Sequence, residues 1–155
     1  MLKIMFICVG KIKDKWLLQG IAEYRKRISR FATLSIVEVP DQPDHIPLER
    51  ALASEAEAIR KRMSNRGLTI ALDLNGAMPD SIELAKMVQN WSDQSQGQLT
   101  FIIGGSRGLD PTLLASCDRS WCLSPLTFPH TLTRLIALEQ LYRSFKLAKG
   151  EKYHK

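Results

Sequence analysis

The turn Gly104–Gly108 reads Gly-Gly-Ser-Arg-Gly and has a candidate nucleophile, Ser106, at its centre. It matches the Gly-x-Ser-x-Gly turn in which a hydrolase exposes its serine nucleophile between a strand and a helix. Asp118, His130 and His154 follow Ser106 in the chain order of a hydrolase triad. Only 49 residues follow Ser106, however, and no His-Gly-Gly-Gly type of oxyanion loop precedes it. A serine hydrolase that uses Ser106 therefore stays open as an alternative.

Glycine at positions 104 and 105 has two further interpretations. A plain strand-to-helix turn can require glycine for a positive φ angle or for a close approach of two backbones. Gly104 and Gly105 could also let the chain pass close to a bound flat ligand. The turn Val9–Lys13 has neither a Gly-x-Gly-x-x-Gly nor a P-loop pattern, so the first strand predicts neither a classical dinucleotide site nor a nucleotide P-loop.

A second unusual segment is Leu123–His130, an apolar loop that two prolines stiffen. Its backbone N–H and C=O groups cannot all join a strand ladder, so some of them need other partners. Such a loop could hold an adenine ring between apolar side chains while backbone groups bind the edge of the ring. A buried structural crossing is the alternative.

The C-terminal tail, residues 151–155, places Tyr153 and His154 near Arg143 and Lys152. These side chains could stack on an RNA base and contact phosphates. A frayed terminus is the alternative, because the last residues of a chain are commonly loose. His45 has the character of a surface histidine and His130 begins a helix. The His, Cys, Asp and Glu residues show no metal-ligand spacing, so we predict no metal.

The formal net charge of +6 is concentrated at the two ends of the chain. Residues 1–31 carry eight Lys and Arg against two acidic residues, and residues 143–155 carry five against one. The segment between them is mildly acidic. Basic faces attract polyanions by electrostatic steering and counterion release, although such charges also merely solvate a helix face. Charge alone is therefore compatible with nucleic-acid binding and does not require it.

The chain has the composition of an ordinary globular domain of 155 residues, with 45% hydrophobic and 25% charged residues. The apolar run 2–9 is too short for a membrane span, and lysines follow it where a signal peptide would have a cleavage site. The three cysteines, Cys8, Cys117 and Cys122, form no Cys-x-x-Cys pair. A reduced, cytoplasmic compartment fits them best, and we expect no membrane association.

Apolar runs that alternate with helical stripes predict parallel β-α-β units, with a sheet covered on both faces. We expect Asp14 to cap the first helix, Gly67 to end the second and Asn75-Gly76 to form a turn. Ligands of such sheets bind outside the carboxyl ends of the strands, so the loops after strands three, four and five are the candidate site. The predicted strands are 2–9, 34–39, 68–73, 99–103 and 121–124, and the predicted helices are 15–28, 48–63, 81–91, a short one from 111, and 131–148.

Several segments together resemble those of one known family, although each segment alone is a weak signal of it. The chain resembles the ribosomal RNA large subunit methyltransferase H family of SPOUT methyltransferases over essentially its full length. The segments that carry the resemblance are Ile70–Asp73 with Leu72, Phe101–Leu109, Leu123–His130, the helix Arg134–Lys149, and Tyr153-His154.

The resemblance implies a fold and an activity that periodicity alone does not supply. The expected fold is a single SPOUT domain over residues 1–155, α/β with a mostly parallel sheet and a trefoil knot in its C-terminal half. The expected protein is a homodimer that uses S-adenosylmethionine. Its expected reaction is methylation of N3 of pseudouridine 1915 in helix 69 of 23S rRNA on the assembled ribosome. A non-catalytic ribosome-binding factor is a further alternative.

The resemblance also assigns residues to roles in this sequence. His154, Arg143 and Tyr153 match the substrate side of the site and are expected to reach across the dimer. Among them we expect His154 to act as the base, because a histidine titrates in the useful range. The residues that match the cofactor pocket are Leu72, Gly104, Leu123, Ser124, Pro125, Leu126, Thr127 and Phe128.

Overall fold

A computed structural model of the protein describes residues 1–153 and contains ten helices and strands within that range. The strands form one parallel sheet in the order β2-β1-β4-β3-β5, so the expected α/β fold is confirmed. In chain order the elements are β1 (Leu2–Val9), α1 (Lys15–Ile28), β2 (Ala32–Val39), α2 (Leu48–Arg62), β3 (Leu68–Ala77), α3 (Ser81–Gln94), β4 (Gln98–Ile103), α4 (Pro111–Ser116), β5 (Arg119–Trp121) and α5 (His130–Ala148).

The two faces of the sheet bury separate hydrophobic clusters. Successive side chains of a strand point to opposite faces, so Phe6 joins the cluster under α1, α3 and α5 while Ile7 joins the cluster under α2 and α4. Phe101 and Trp121 pack edge to face in the larger cluster, with ring centroids 6.1 Å apart. Burial of one such side chain contributes about 1.5–3 kcal/mol.

The strand β3 is longer than the sequence pattern predicts. Asn75 and Gly76 lie inside the strand, so the predicted turn at these residues is wrong. After an irregularity in the pairing, Ala77 lies opposite Trp121 of β5. A Cβ atom on Gly76 would stand 2.6 Å from the backbone nitrogen of Trp121, which explains the glycine. The residue serves a close approach between two strands and not a reversal of the chain.

Three predictions about the ends of helices and strands also differ from the structure. Gly67 does not end α2, which ends at Arg62; it lies beside β4, where a Cβ would stand 2.0 Å from the Gln98 carbonyl oxygen. Asp14 occupies the cap position of α1 without a side-chain hydrogen bond. The strand β5 ends at Trp121, so the segment up to Ser124 belongs to the following loop.

The last helix, α5, lies on one face of the sheet between α1 and α3. It begins after Pro129, and Gly150 beyond its end has a φ of +70°. No helix within residues 1–153 is both long and apolar enough to cross a membrane. The trefoil knot stays a prediction.

Candidate active site

A pocket of about 240 Å³ opens at the carboxyl ends of β3, β4 and β5. This is the edge of the sheet where the loops after strands three, four and five predicted a ligand site. The helix α5 contributes His130 and Thr133 from its first turn. Seven of the eight predicted cofactor residues line the pocket, namely Leu72, Gly104, Leu123, Ser124, Leu126, Thr127 and Phe128. The eighth, Pro125, is not among its lining residues.

The loop after β5 is shaped by hydrogen bonds around one serine. The Ser124 hydroxyl accepts a bond from the Leu126 amide at 3.0 Å, and its carbonyl accepts one from the Cys122 thiol at 3.2 Å. Cys122 in turn donates its amide to the Ala77 carbonyl of β3 at 2.8 Å. The loop therefore turns within a few residues and leaves the Leu126 side chain 68% exposed beside the pocket.

The loop after β4 requires glycine because the chain folds closely on itself. A Cβ atom on Gly104 would stand 2.6 Å from the Gly108 carbonyl oxygen, and one on Gly105 would stand 3.1 Å from Val9. Gly108 has a φ of +86° and donates its amide to the Gly105 carbonyl at 3.1 Å. Close approach of the chain to itself accounts for Gly104, and a left-handed backbone accounts for Gly108.

Ser106 lines the pocket, yet within residues 1–153 the structure does not bring Asp118 into a hydrolase arrangement around it. The Asp118 carboxylate accepts the backbone amide of Thr69 at 2.8 Å, at the amino end of β3 and so at the opposite edge of the sheet. An orienting carboxylate must contact the base directly. Asp118 cannot orient His130 from that place, so the geometry disfavours a hydrolase.

A buried arginine holds the end of β1 against this edge. Arg134 is 1% exposed, and its guanidinium donates to the Val9 and Gly10 carbonyls at 3.0 and 2.7 Å. It also pairs with Glu38 at 2.6 Å, and Glu38 accepts the Ile12 amide at 3.1 Å. Charge-assisted bonds of this kind fix geometry well. Arg134 therefore sets the path of the first strand-to-helix turn.

His130 stands between this turn and the pocket. A Cβ on Gly10 would come within 3.2 Å of its ring, and the pocket lies on its other side. Burial and the nearby Arg134 lower the pKa of His130, against the opposing effects of Asp41 and the Val9 backbone. The ring nitrogen Nδ1 is buried without a hydrogen-bond partner. From the sequence, His130 was interpreted as the start of a helix and as a member of a hydrolase triad with Ser106.

The predicted substrate-side residues lie elsewhere in the chain. Arg143 is 13 positions after His130 on α5, which is about 20 Å along a helix. The Arg143 guanidinium stands 4.7 Å from the ring centre of Tyr153, so these two residues are together. His154, the predicted base, lies outside the described residues. Within one chain the structure therefore separates Arg143 and Tyr153 from the pocket.

Two residues at this edge of the sheet were not predicted as site residues from the sequence. Asp73 lines the pocket as the one carboxylate among its lining residues. Arg134 could have been noticed, because it lies three and four positions before Ala137 and Leu138 on the buried side of α5. An arginine on an apolar stripe is rarely buried without a partner.

The pocket suits a ligand with an apolar ring and a polar edge. Its walls are side chains such as Leu72, Leu109 and Phe128, and its polar groups come from residues such as Asp73 and Thr133. Pockets for small molecules and cofactors commonly combine apolar walls with a few placed polar groups. Within residues 1–153 no group of three or more His, Cys, Asp and Glu side chains could hold a metal ion.

The sequence of this chain is similar to the sequences of known methyltransferases. The family described as "Predicted SPOUT methyltransferase" matches residues 2–154. The ribosomal RNA large subunit methyltransferase H of Acetivibrio thermocellus is 46% identical, with 99% of this chain and all of that protein covered. The protein of the same name from Desulforamulus reducens is 42% identical, with both chains covered in full.

Solved structures show the same fold at low sequence identity. A probable methyltransferase from Bordetella pertussis has a TM-score of 0.55 and 18% identity, covering 91% of this chain and 95% of its own. A probable methylase family protein from Haemophilus influenzae also has a TM-score of 0.55, with 17% identity, covering 99% of this chain and 70% of its own.

Proposed function

This chain belongs to the SPOUT methyltransferase family, and we propose that it methylates N3 of pseudouridine 1915 in 23S rRNA with S-adenosylmethionine as the methyl donor. The observation that carries the proposal is the pocket at the ends of β3, β4 and β5, in a chain that matches rRNA methyltransferases over its full length. The bound cofactor supplies a sulfonium-activated methyl group.

The cofactor pocket fits an adenosyl group in shape and in chemistry. Apolar side chains from Leu72 and Phe128 would cover the two faces of the adenine ring, while the Leu123–Phe128 loop offers backbone groups to its edge. Asp73 would accept hydrogen bonds from hydroxyl or ammonium groups and would favour a cationic ligand. A pocket with these groups would orient the donor, which is a large part of what an already activated methyl group requires.

We assign the substrate-side roles to the C-terminal cluster. Arg143 would stabilise the negative charge that develops when the imide N3 loses its proton, and Tyr153 would orient the pyrimidine. His154 would accept the N3 proton as a general base. All three would act on the base and not on the cofactor, and Arg143 and Tyr153 lie apart from the pocket of their own chain.

A homodimer brings the two groups of residues together in this proposal. Because about 20 Å of helix separates Arg143 from the pocket of its own chain, a second copy packed antiparallel along α5 would supply the missing half of each site. Trp16 is 61% exposed on α1, one turn before Gly20, which abuts Leu135 of α5. Tryptophan is enriched at interfaces between protomers, so an exposed tryptophan on α1 supports this face as the dimer contact.

The basic ends of the chain would bind rRNA phosphates. Residues 1–31 and 143–155 carry 13 of the 22 Lys and Arg residues, and both segments contribute to the surface around α1 and the end of α5. Binding that releases counterions falls steeply with added salt. The assembled ribosome, in the cytoplasm, would supply the shape that selects one nucleotide for a small protein of this kind.

The test begins with calorimetry of the protein with S-adenosylmethionine and with its demethylated product. Binding followed by methyl transfer to ribosomes that lack the modification, with the methyl group located on N3 of the pseudouridine by mass spectrometry, is the expected result. Ribosome binding without cofactor binding would overturn the proposal in favour of a binding factor. Acylation of Ser106 by a fluorophosphonate would overturn it in favour of a hydrolase.

A further inference from the structure

The chain turns back on itself immediately after α5. Gly150, at a φ of +70°, donates its amide to the Leu147 carbonyl at 3.0 Å, and Glu151 donates its amide to the Lys146 carbonyl at 3.0 Å. This pair of bonds is the Schellman motif, in which a left-handed residue ends the helix and reverses the chain. The motif directs residues 151–153 back towards the side of α5 that faces α1.

Glu151 is the first side chain after this reversal, and it joins two elements. Its carboxylate accepts a hydrogen bond from Arg30 at 3.1 Å, just beyond the end of α1, and another from Lys146 on α5. Hydrogen bonds from Lys146 first and then from Arg30 lower the pKa of Glu151. One carboxylate therefore ties the tail to α1 and α5 at the same time.

Tyr153 is held two residues further along by a set of ring contacts. Its ring meets Tyr142 edge on, with centroids 5.0 Å apart, and the Arg143 guanidinium lies 4.7 Å from its centre. Burial and then a hydrogen bond with Tyr153 raise the pKa of Tyr24, on α1, to about 12. The tail up to Tyr153 is thus packed on its own protomer by contacts to both helices.

We propose that Glu151 is a positioning residue, which holds the C-terminal tail on α1 and α5 so that the tail presents its functional side chains to RNA in one arrangement. The proposal rests on the proposed function, because it concerns the residues assigned there to the substrate. Glu151 touches neither cofactor nor substrate in this proposal. It acts through Tyr153 and the residue that follows.

Holding the tail in advance favours substrate binding because ordering a free chain end costs conformational entropy. A free tail of a few residues must lose conformational freedom each time it meets the substrate, whereas a tail that is already held does not. Single exposed ion pairs are weak, and so one pair would hold the tail poorly. Glu151 has two cationic partners on different elements together with the backbone reversal before it, and these contacts act jointly.

The first experiment removes the carboxylate charge without changing its size. Glu151→Gln is expected to lower kcat for ribosome methylation about tenfold, while the Kd for S-adenosylmethionine stays within about twofold, because Glu151 bonds to Arg30 and Lys146 and to no residue that lines the pocket. Arg30→Gln with Lys146→Gln should lower kcat at saturating ribosomes by at least as much, because both cations also belong to the basic ends, and adding Glu151→Gln to that double variant should lower kcat no further. Glu57→Gln, which removes an exposed pair with Lys61, is the matched control and should keep the wild-type rate.

A second experiment tests the chain reversal itself. Gly150→Ala introduces a side chain at a positive φ where no atom lies within 4 Å, so backbone strain is its only direct effect. Gly97→Ala introduces similar strain at a φ of +87°, also in open space, in the turn between α3 and β4 and not in the tail. We expect Gly150→Ala to lower kcat and to speed release of the last residues by carboxypeptidase, and Gly97→Ala to change neither.

The outcomes separate this inference from the function on which it rests. If the wild-type protein neither binds S-adenosylmethionine nor methylates ribosomes, the proposed function fails. If the wild type is active but Glu151→Gln matches it in kcat and in carboxypeptidase sensitivity, only the role of Glu151 fails. A loss in Glu151→Gln that adds fully to the loss in the Arg30 and Lys146 variant would also overturn the proposal.

Discussion

The two ends of α5 carry two different kinds of site. At its amino end, His130 and Thr133 border a pocket whose other walls are strand ends and glycine turns within the fold. At its carboxyl end, Arg143 and Tyr153 lie on the surface and are held by ring contacts, ion pairs and a helix cap. The first site is fixed by packing of the core, and the second by polar contacts at the surface.

Because of this difference, a single protomer can provide only one half of the proposed chemistry. A pocket formed by buried strand ends exists as soon as the sheet folds. A surface cluster about 20 Å away along the same helix can serve that pocket only if a second copy brings it there. Cofactor binding should therefore be robust to changes at the tail, and methyl transfer should depend on both ends.

We expect the largest change in methyl-transfer activity when the pocket is inactivated on one protomer and the Arg143 side of the site on the other. Thr127→Arg should block the pocket and Arg143→Ala should disable the substrate side, so each variant alone should lose methyl transfer. If the site is shared across a dimer, mixing and refolding equal amounts should restore about one quarter of wild-type activity, because half of the dimers are mixed and each has one intact site.

The same mixture distinguishes the alternative arrangement clearly. A site built within one chain gives no activity on mixing, since neither chain then has both halves. The control mixes the Thr127→Arg chain with a chain that carries both Thr127→Arg and Arg143→Ala. This mixture should stay inactive, because every pocket in it is blocked. Activity in that control would show that Thr127→Arg does not block the pocket.

The next effect concerns the stability of the pocket end. Arg134→Met leaves the Val9 and Gly10 carbonyls and Glu38 without their shared donor, and we expect the free energy of unfolding to fall by about 3 kcal/mol. Urea unfolding measures this change. Lys61→Met, in an exposed pair, should change stability by less than about 0.5 kcal/mol. A similar small change for Arg134→Met would show that the arginine is not needed to hold the turn.

A smaller effect tests the glycine turn of the pocket. Gly104→Ala places a Cβ 2.6 Å from the Gly108 carbonyl oxygen, so we expect a loss of about 1–3 kcal/mol in stability together with weaker cofactor binding. In Gly105→Ala the new Cβ lies 3.1 Å from the Val9 side chain, and this side chain can move by a few tenths of an ångström. The Gly105 variant should therefore be the milder in both calorimetry and thermal unfolding. The reverse order would contradict the assignment of Gly104 to a backbone contact.

The smallest effect is a pH dependence at the pocket end. Because the pKa of His130 is lowered in the fold, chiefly by burial, the unfolded chain binds the proton more readily than the folded chain. The stability that neutral His130 contributes is present above its unfolded pKa of about 6.5 and is lost as the pH falls through the lower folded value. His130→Gln should flatten this part of the stability profile, and an unchanged slope below pH 6.5 would contradict it.

Much of the fold could be predicted because local patterns carry it. Runs such as Leu2–Val9 and the stripe on α1 have the periods of a buried strand and an amphipathic helix, and Asp110-Pro111 begins α4 as expected. The place of the pocket also followed, because parallel strands bring their carboxyl ends to one edge. The glycines were predicted less well, since Gly67 and Gly76 serve contacts with residues distant in the chain.

The positions of the strands, the helices and the two basic ends along the chain could be predicted from the sequence, because each depends on neighbours within a few positions. The three-dimensional structure was needed to show that Arg134 is buried against the first turn and that Asp118 is bonded at the far edge of the sheet. It also decided that Arg143 and the pocket lie apart on one helix. These facts depend on contacts between residues up to 125 positions apart, which no local pattern records.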